Sequence, residues 1–253
     1  VFDPIFFEIS AAEARTMDPQ QRLVLEGAWH AFEDAGIAPS SLFSSNWGVW
    51  LAMMNGDYRS LVKSLEDGAG FGAIGNSSSG AVGRLSYFFG LQGPSVPVDT
   101  ACSSSLVALT MAANEISSGR IAGAVVAGVN LCLIAAPFII ESGMMMLSPE
   151  GRCKAFDESA SGFVRGDGVG VLILEPEQST RQGFSPLLSI EGAAFNHNGR
   201  SNGISAPHGP SQERCIAQCL ELAQQRRNAA ANLQGRDDVG FVEAFGAGSI
   251  VGD

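Results

Sequence analysis

A cysteine stands where the periodicity of the chain changes. Val96 to Asp99 reads as a short extended run. Leu106, Leu109, Ala113 and Ile116 then recur at helical spacing, which predicts a helix presenting those four residues to a core. Cys102 lies at the break, just ahead of Ser103, Ser104 and Ser105, residues of the type that cap helix starts. The positive end of a helix and its unpaired N–H groups stabilise a thiolate, and can hold the oxyanion formed when sulfur attacks a carbonyl. The position therefore suits a nucleophile. The alternative is a buried, unreactive thiol packed as a small hydrophobe.

The other cysteines add little chemistry. Cys132, Cys153, Cys215 and Cys219 are scattered, and an odd total of 5 implies no disulfide framework and suits a reducing, cytoplasmic setting. Cys215 and Cys219 are spaced to share a helix face, but no second pair or neighbouring histidine completes a metal site, so no metal is expected. Lys and Arg number 15 against 26 Asp and Glu, a net charge of −11 that speaks against a nucleic-acid surface. Arg226, Arg227 and Arg236 form a candidate basic patch for an acidic partner, or else a solvated helix face. Ile121 to Ile140 is apolar enough to mimic a membrane span, yet Gly123, Gly128 and Pro137 interrupt it. Val125 to Asn130 fits better as a strand buried on both faces, and no membrane segment is expected.

The segment Asp99-Thr-Ala-Cys-Ser-Ser-Ser-Leu-Val-Ala108 resembles the active-site segment of β-ketoacyl synthases (ketosynthases), of the modular polyketide synthase and fatty acid synthase type. The resemblance extends along the chain, through Met17-Asp-Pro-Gln-Gln-Arg22, Gly83-Arg-Leu-Ser-Tyr87, Gly151-Arg-Cys-Lys-Ala-Phe-Asp157, Gly162-Phe-Val-Arg-Gly-Asp-Gly168 and Ser205-Ala-Pro-His-Gly-Pro-Ser-Gln212. It implies an α/β fold of the layered α/β/α/β/α thiolase-like kind. It makes Cys102 the acceptor of an acyl chain from the phosphopantetheine thioester of an acyl carrier protein, with no cofactor bound by the domain itself. A homodimer working beside neighbouring synthase domains is implied too. Phe163, Ala247 and Ser249 fall where the family holds substrate or the phosphopantetheine arm.

Several elements must position these residues. Ser10 to Glu13 fits a capping box, and a helix begins after Asp18-Pro19, buries Leu23, Trp29, Ala31 and Phe32, and ends at Gly36. Trp47 to Leu51 reads as a strand and the Gly/Ser-rich Gly68 to Gly80 as a flexible loop. Met144, Met145 and Met146 read as lining for an adaptable acyl tunnel or as ordinary core packing. Gly166 to Gly170 precedes a strand at Val171 to Leu174 rather than following one, so it is not a dinucleotide loop. Gly246 to Gly252 has such a shape after a predicted strand, but no helix or ribose-binding acid follows. The expected division is 1–175 for a half carrying the nucleophile, 176–186 for a polar linker, and 187–253 for the start of a second half that resumes as a strand at Leu187 to Ala194. By the resemblance the first half is nearly complete and the second only begun, so the chain would be incomplete at both ends.

One segment departs from the family. Where condensing ketosynthases run Val-Glu-Ala-His-Gly-Thr-Gly-Thr, this chain runs Val242-Glu-Ala-Phe-Gly-Ala-Gly-Ser249, so Phe245 replaces the first catalytic histidine. Decarboxylation of a malonyl unit needs a donor where the enolate charge develops, and a phenyl ring offers none. His197 and His208 lie where no catalytic histidine is expected. The resemblance therefore implies acyl loading with doubtful condensation, or, as the alternative, a degenerate scaffold or dimerisation domain.

Overall fold

The computed structural model describes residues 1–62, 69–179, 183–204, 206–229, 239–249 and 252–253. In chain order the elements are α1 (Ala11–Thr16), α2 (Pro19–Asp34), a 3-10 turn (Pro39–Leu42), β1 (Trp47–Met53), α3 (Tyr58–Leu61), α4 (Ala69–Gly75), α5 (Ser78–Phe89), β2 (Ser95–Val98), α6 (Ser104–Ser117), β3 (Gly123–Asn130), α7 (Ala136–Gly143), β4 (Gly168–Leu174) and α8 (Gly209–Ala229). They form two compact units, Val1–Leu133 with Gly166–Ser189, and Ile134–Arg165 with Ile190–Asp253.

The first unit is a sheet with helices on both faces. Its strands lie in the order β2-β1-β3-β4, with β1 parallel to both β2 and β3, and β4 antiparallel to β3. Alternate residues of a strand point to opposite faces, and β1 obeys this closely. Val49, Leu51 and Met53 join one core with Val125, Ala127 and Val129, together with Val24, Leu25 and Phe32 of α2 and Val82, Leu85 and Phe89 of α5. Trp50 and Ala52 join the other with Ala124, Val126, and Ala108 and Ala112 of α6. β1 is buried along its whole length and β3 along most of it, as the near-continuous apolar runs of parallel strands require. The apolar run from Ile121 thus supplies a central strand and then α7. Among the described residues no helix is long and apolar enough to cross a membrane.

Local chemistry sets the helix ends as the sequence indicates. Ser10 Oγ accepts from the Glu13 amide at 3.2 Å, and Asp18 accepts from the Gln20 amide at 2.8 Å with Pro19 opening α2. Gly36 takes a φ of 65° after α2, a left-handed backbone that favours glycine, and its face lies against the Phe184 ring. Burial pushes the Asp18 carboxyl above its ordinary range, against the opposing pull of its bonds from Gln20.

Four expectations need correction. The apolar face of α2 is built on Val24, Leu25, Ala28 and Phe32, all buried, with Leu23, Trp29 and Ala31 only half-buried. Leu106 is 68% exposed. α6 instead turns Ala108 and Ala112 to the sheet, with Ala113 buried as expected and Leu109 and Ile116 at the margin. Small residues let the helix approach β1 and β3, where Trp50 already fills the space. The expected loop at Gly68 to Gly80 is helical where described: α4 is followed by α5, whose start Ser77 caps by accepting from the Gly80 amide at 3.0 Å. The glycines obscure an apolar face of Ala81, Val82, Leu85 and Phe89. Leu187 to Ala194 pairs with no strand among the described residues. Its second part lies on α8 instead: Arg226 donates to the Ile190 carbonyl at 2.8 Å and Arg227 pairs with Glu191 at 2.6 Å. Gly192 approaches so closely that a Cβ would meet the Cys219 carbonyl oxygen at 2.3 Å.

Candidate active site

Cys102 lies between β2 and α6 and is exposed, so the packed, unreactive thiol is not what the fold builds. The turn around it is tightly bonded. The Ala101 amide donates to Asp99 Oδ1 at 3.1 Å. Ser104 Oγ accepts from the Thr100 amide at 2.8 Å and donates to the Ala101 carbonyl at 2.7 Å. The Thr100 and Ser103 hydroxyls lie 2.9 Å apart, and Ser103 Oγ donates to the Thr100 carbonyl at 2.9 Å.

Between these bonds Ala101 takes a φ of 55°, the left-handed region that costs a residue with a Cβ roughly 1–3 kcal/mol. The serines do not act as simple caps. Ser103 occupies the N-cap position without a side-chain bond to the helix, and Ser104, almost fully buried, clasps the turn instead. The first-turn amides of Ser105 and Leu106 donate to no described residue, whereas the Ser104 amide bonds back to the Ala101 carbonyl at 3.1 Å and the Val107 amide to the Ser103 carbonyl at 3.0 Å. Cys102 is thus presented at a helix start with unspent donors beside it.

The remaining candidate residues lie in the second unit, where one loop cluster gathers Phe163, Ala247 and Ser249. The Gly162 amide donates to the Gly248 carbonyl at 2.8 Å, tying the segment of Phe163 to that of Ala247 and Ser249. Phe163 is half-buried, its amide donating to the Met146 carbonyl at 3.0 Å and its carbonyl accepting from the Ser148 amide at 2.9 Å. Asp253 Oδ2 accepts from the Gly248 amide at 3.0 Å and the Phe156 amide at 2.8 Å, closing the loop. Ala247 and Ser249 are half-buried, and Ser249 Oγ is engaged by the Gly252 amide at 3.0 Å. Phe245 is 75% exposed, and among the described residues the strand expected ahead of it does not form. The sequence reading contains neither the clasp by Asp253 nor the Ser104 bonds. The spacing of Thr100 to Ser104 is the available signal for the second, since Ser and Thr bond back to main-chain groups three or four residues away.

Gly162 offers a sharp test of the cluster. Its φ is 133°, and a Cβ would lie 2.6 Å from the Met146 carbonyl oxygen and the Leu147 carbonyl carbon. Gly162→Ala is expected to destabilise this unit by about 1–3 kcal/mol. An unchanged melting temperature would show that the loop does not depend on this approach.

Other residues singled out have local roles. His197 Nδ1 takes the Gly199 amide at 2.8 Å, and His208 Nδ1 lies 2.7 Å from Ser211 Oγ, so both shape turns. Arg226 and Arg227 bond to Ile190 and Glu191 as described, and Arg236 lies outside the described residues. Met144, Met145 and Met146 are exposed at the end of α7 rather than packed. No His, Cys, Asp and Glu cluster fit to hold a metal ion occurs among the described residues.

Comparison with known proteins identifies the family. The sequence profile of the β-ketoacyl synthase N-terminal domain matches residues 1–180, and that of the C-terminal domain residues 187–253. Polyketide synthase GfsE of Streptomyces halstedii is 44% identical across the whole chain, which spans 6% of that protein. The spectinabilin polyketide synthase system protein NorC of Streptomyces orinoci is also 44% identical, the chain spanning 11% of it. Among solved structures, an oxazolomycin ketosynthase domain from Streptomyces albus superposes with a TM-score of 0.88 at 35% identity over the whole chain, which spans 42% of that domain's chain. The ketosynthase from module 6 of the bacillaene synthase of Bacillus subtilis gives 0.77 at 37% identity over 88% of this chain and 38% of its own. With its strand-to-helix cysteine, its two-faced α/β sheet and profile matches along nearly all its length, the chain belongs to the β-ketoacyl synthase family.

Proposed function

We propose that this chain serves as a ketosynthase-type acyl acceptor. The Cys102 thiolate attacks the carbonyl of an acyl thioester carried on the phosphopantetheine of an acyl carrier protein. A new S–C bond forms, the carrier thiol leaves with the proton lost from Cys102, and the acyl group stays on the enzyme. The observation that carries this reading is the exposed Cys102 at the start of α6 beside the unspent amides of Ser105 and Leu106, which can steady first a thiolate and then the oxyanion of the tetrahedral intermediate. Phe163, Ala247 and Ser249 are proposed as the substrate and phosphopantetheine-facing residues. The domain itself would need no bound cofactor. A homodimer flanked by other synthase domains fits the proposal, with 1–175 and 187–253 as its two halves joined through 176–186.

Elongation is a different matter. Decarboxylative condensation would require a donor at position 245, and the Phe245 side chain has none. Loading without elongation is therefore the activity proposed. Incubation with a short acyl thioester should leave one acyl adduct at Cys102 by intact-protein and peptide mass spectrometry, and Cys102→Ala should abolish it. Phe245 also supports a second reading, a catalytically silent scaffold. That reading gains if a folded sample takes up no acyl group.

A further inference from the structure

Resting on the acyl-acceptor reading, we infer that Ser104 is a positioning residue for Cys102: its buried hydroxyl holds Ala101 in the left-handed conformation that presents the thiol at the start of α6. The hydroxyl bridges the two sides of the turn, accepting from the Thr100 amide at 2.8 Å and donating to the Ala101 carbonyl at 2.7 Å. These two bonds fix the peptide units just ahead of Cys102. Ala101, at φ 55°, carries a steric penalty that a free chain would relieve by rotating to negative φ. Rotation there re-aims the Cα–Cβ bond of the next residue, and so carries the sulfur away from the amides of Ser105 and Leu106.

The other bonds of the turn do not replace this clasp. Asp99 engages the Ala101 amide, and Ser103 bonds to Thr100. Neither reaches the Ala101 carbonyl, the group on the Cys102 side of the strained residue. The Ser104 amide also donates to that carbonyl at 3.1 Å, so the carbonyl is held twice by one residue and the hydroxyl alone extends the hold back to Thr100. Ser104 is 5% exposed, which keeps water from competing for either bond.

The test pairs Ser104→Ala with the double variant Ala101→Gly/Ser104→Ala, because glycine adopts positive φ without the Cβ penalty. Acylation of Cys102 by a short acyl thioester and its alkylation by iodoacetamide are followed by peptide mass spectrometry on the whole chain, with circular dichroism on each sample. Ser104→Ala is expected to slow both reactions at Cys102 by about tenfold to a hundredfold. The double variant is expected to recover most of the rate, and the fold as well if Ser104→Ala loses it. Ala101→Gly alone is the reference, because glycine relieves the penalty at this position in either background; recovery larger than the gain that variant shows by itself reports on the conformation Ser104 holds. Wild-type rates in Ser104→Ala, or a double variant no better in rate or fold than the single one, would overturn the inference. If the wild-type chain is alkylated but never acylated, the acyl-acceptor reading fails while the alkylation series still decides the role of Ser104.

Discussion

Phe245→His should raise malonyl decarboxylation by the ketosynthase domain by about 10²–10³. Loss of carbon dioxide from a malonyl thioester leaves an enolate, and catalysis depends on donors already aimed at the oxygen where that charge grows. A phenyl ring has neither N–H nor lone pair, whereas an imidazole at the same place can donate a hydrogen bond to that oxygen. Phe245 is exposed, and the Gly162–Gly248 and Asp253 contacts that hold the loop fall on residues after it, so the exchange is expected to leave the loop intact. Release of carbon dioxide from a malonyl thioester is the measurement. A histidine variant no faster than wild type would mean that the deficit at this position is not what limits decarboxylation.

Phe32→Ala should be the most damaging single truncation in the first core. Phe32 is fully buried on α2, its ring 5.0 Å from that of Phe89 and 5.9 Å from that of Trp47. It joins helices α2 and α5 to the start of β1, so its removal leaves a cavity bounded by three elements that cannot all close in. Such losses cost about 3–5 kcal/mol, against a total stability of about 5–15 kcal/mol. At roughly 2–4 °C per kcal/mol the thermal midpoint should fall by about 10 °C. A fall of a degree or two would indicate that the core repacks around the gap.

The sequence is most legible where one local rule decides the outcome. Asp18-Pro19 and Gly36 bracket α2 because capping and positive φ are properties of those residues themselves. The elbow at Cys102 is legible because an extended run meets a helical one there. Leu106 misleads because periodicity alone does not tell which of two adjacent stripes faces a sheet. The bulk of Trp50 on β1 favours the alanines of α6, a fact that exists only once strand and helix meet. The Gly68 to Gly80 stretch misleads for a related reason where it runs into α5: glycine lowers helix propensity, but packing of Val82, Leu85 and Phe89 further along that helix outweighs it. Leu187 to Ala194 has the composition of a strand and, among the described residues, no partner strand; its second part bonds to α8 instead. The strain at Ala101 is invisible in residue types, and the spacing of Thr100 to Ser104 signals a bond back to the main chain without telling a bridge from a cap, since serine serves equally well as either.

The central claim is loading at Cys102 without elongation, and sequential incubation tests it most directly. The chain is treated first with a short acyl thioester and then with a malonyl thioester, and both the protein mass and the released products are followed. The account predicts a stable acyl adduct on Cys102 that survives the malonyl step, with no β-ketoacyl product. A β-ketoacyl product formed at an ordinary turnover rate, or no adduct on a folded chain, would contradict it.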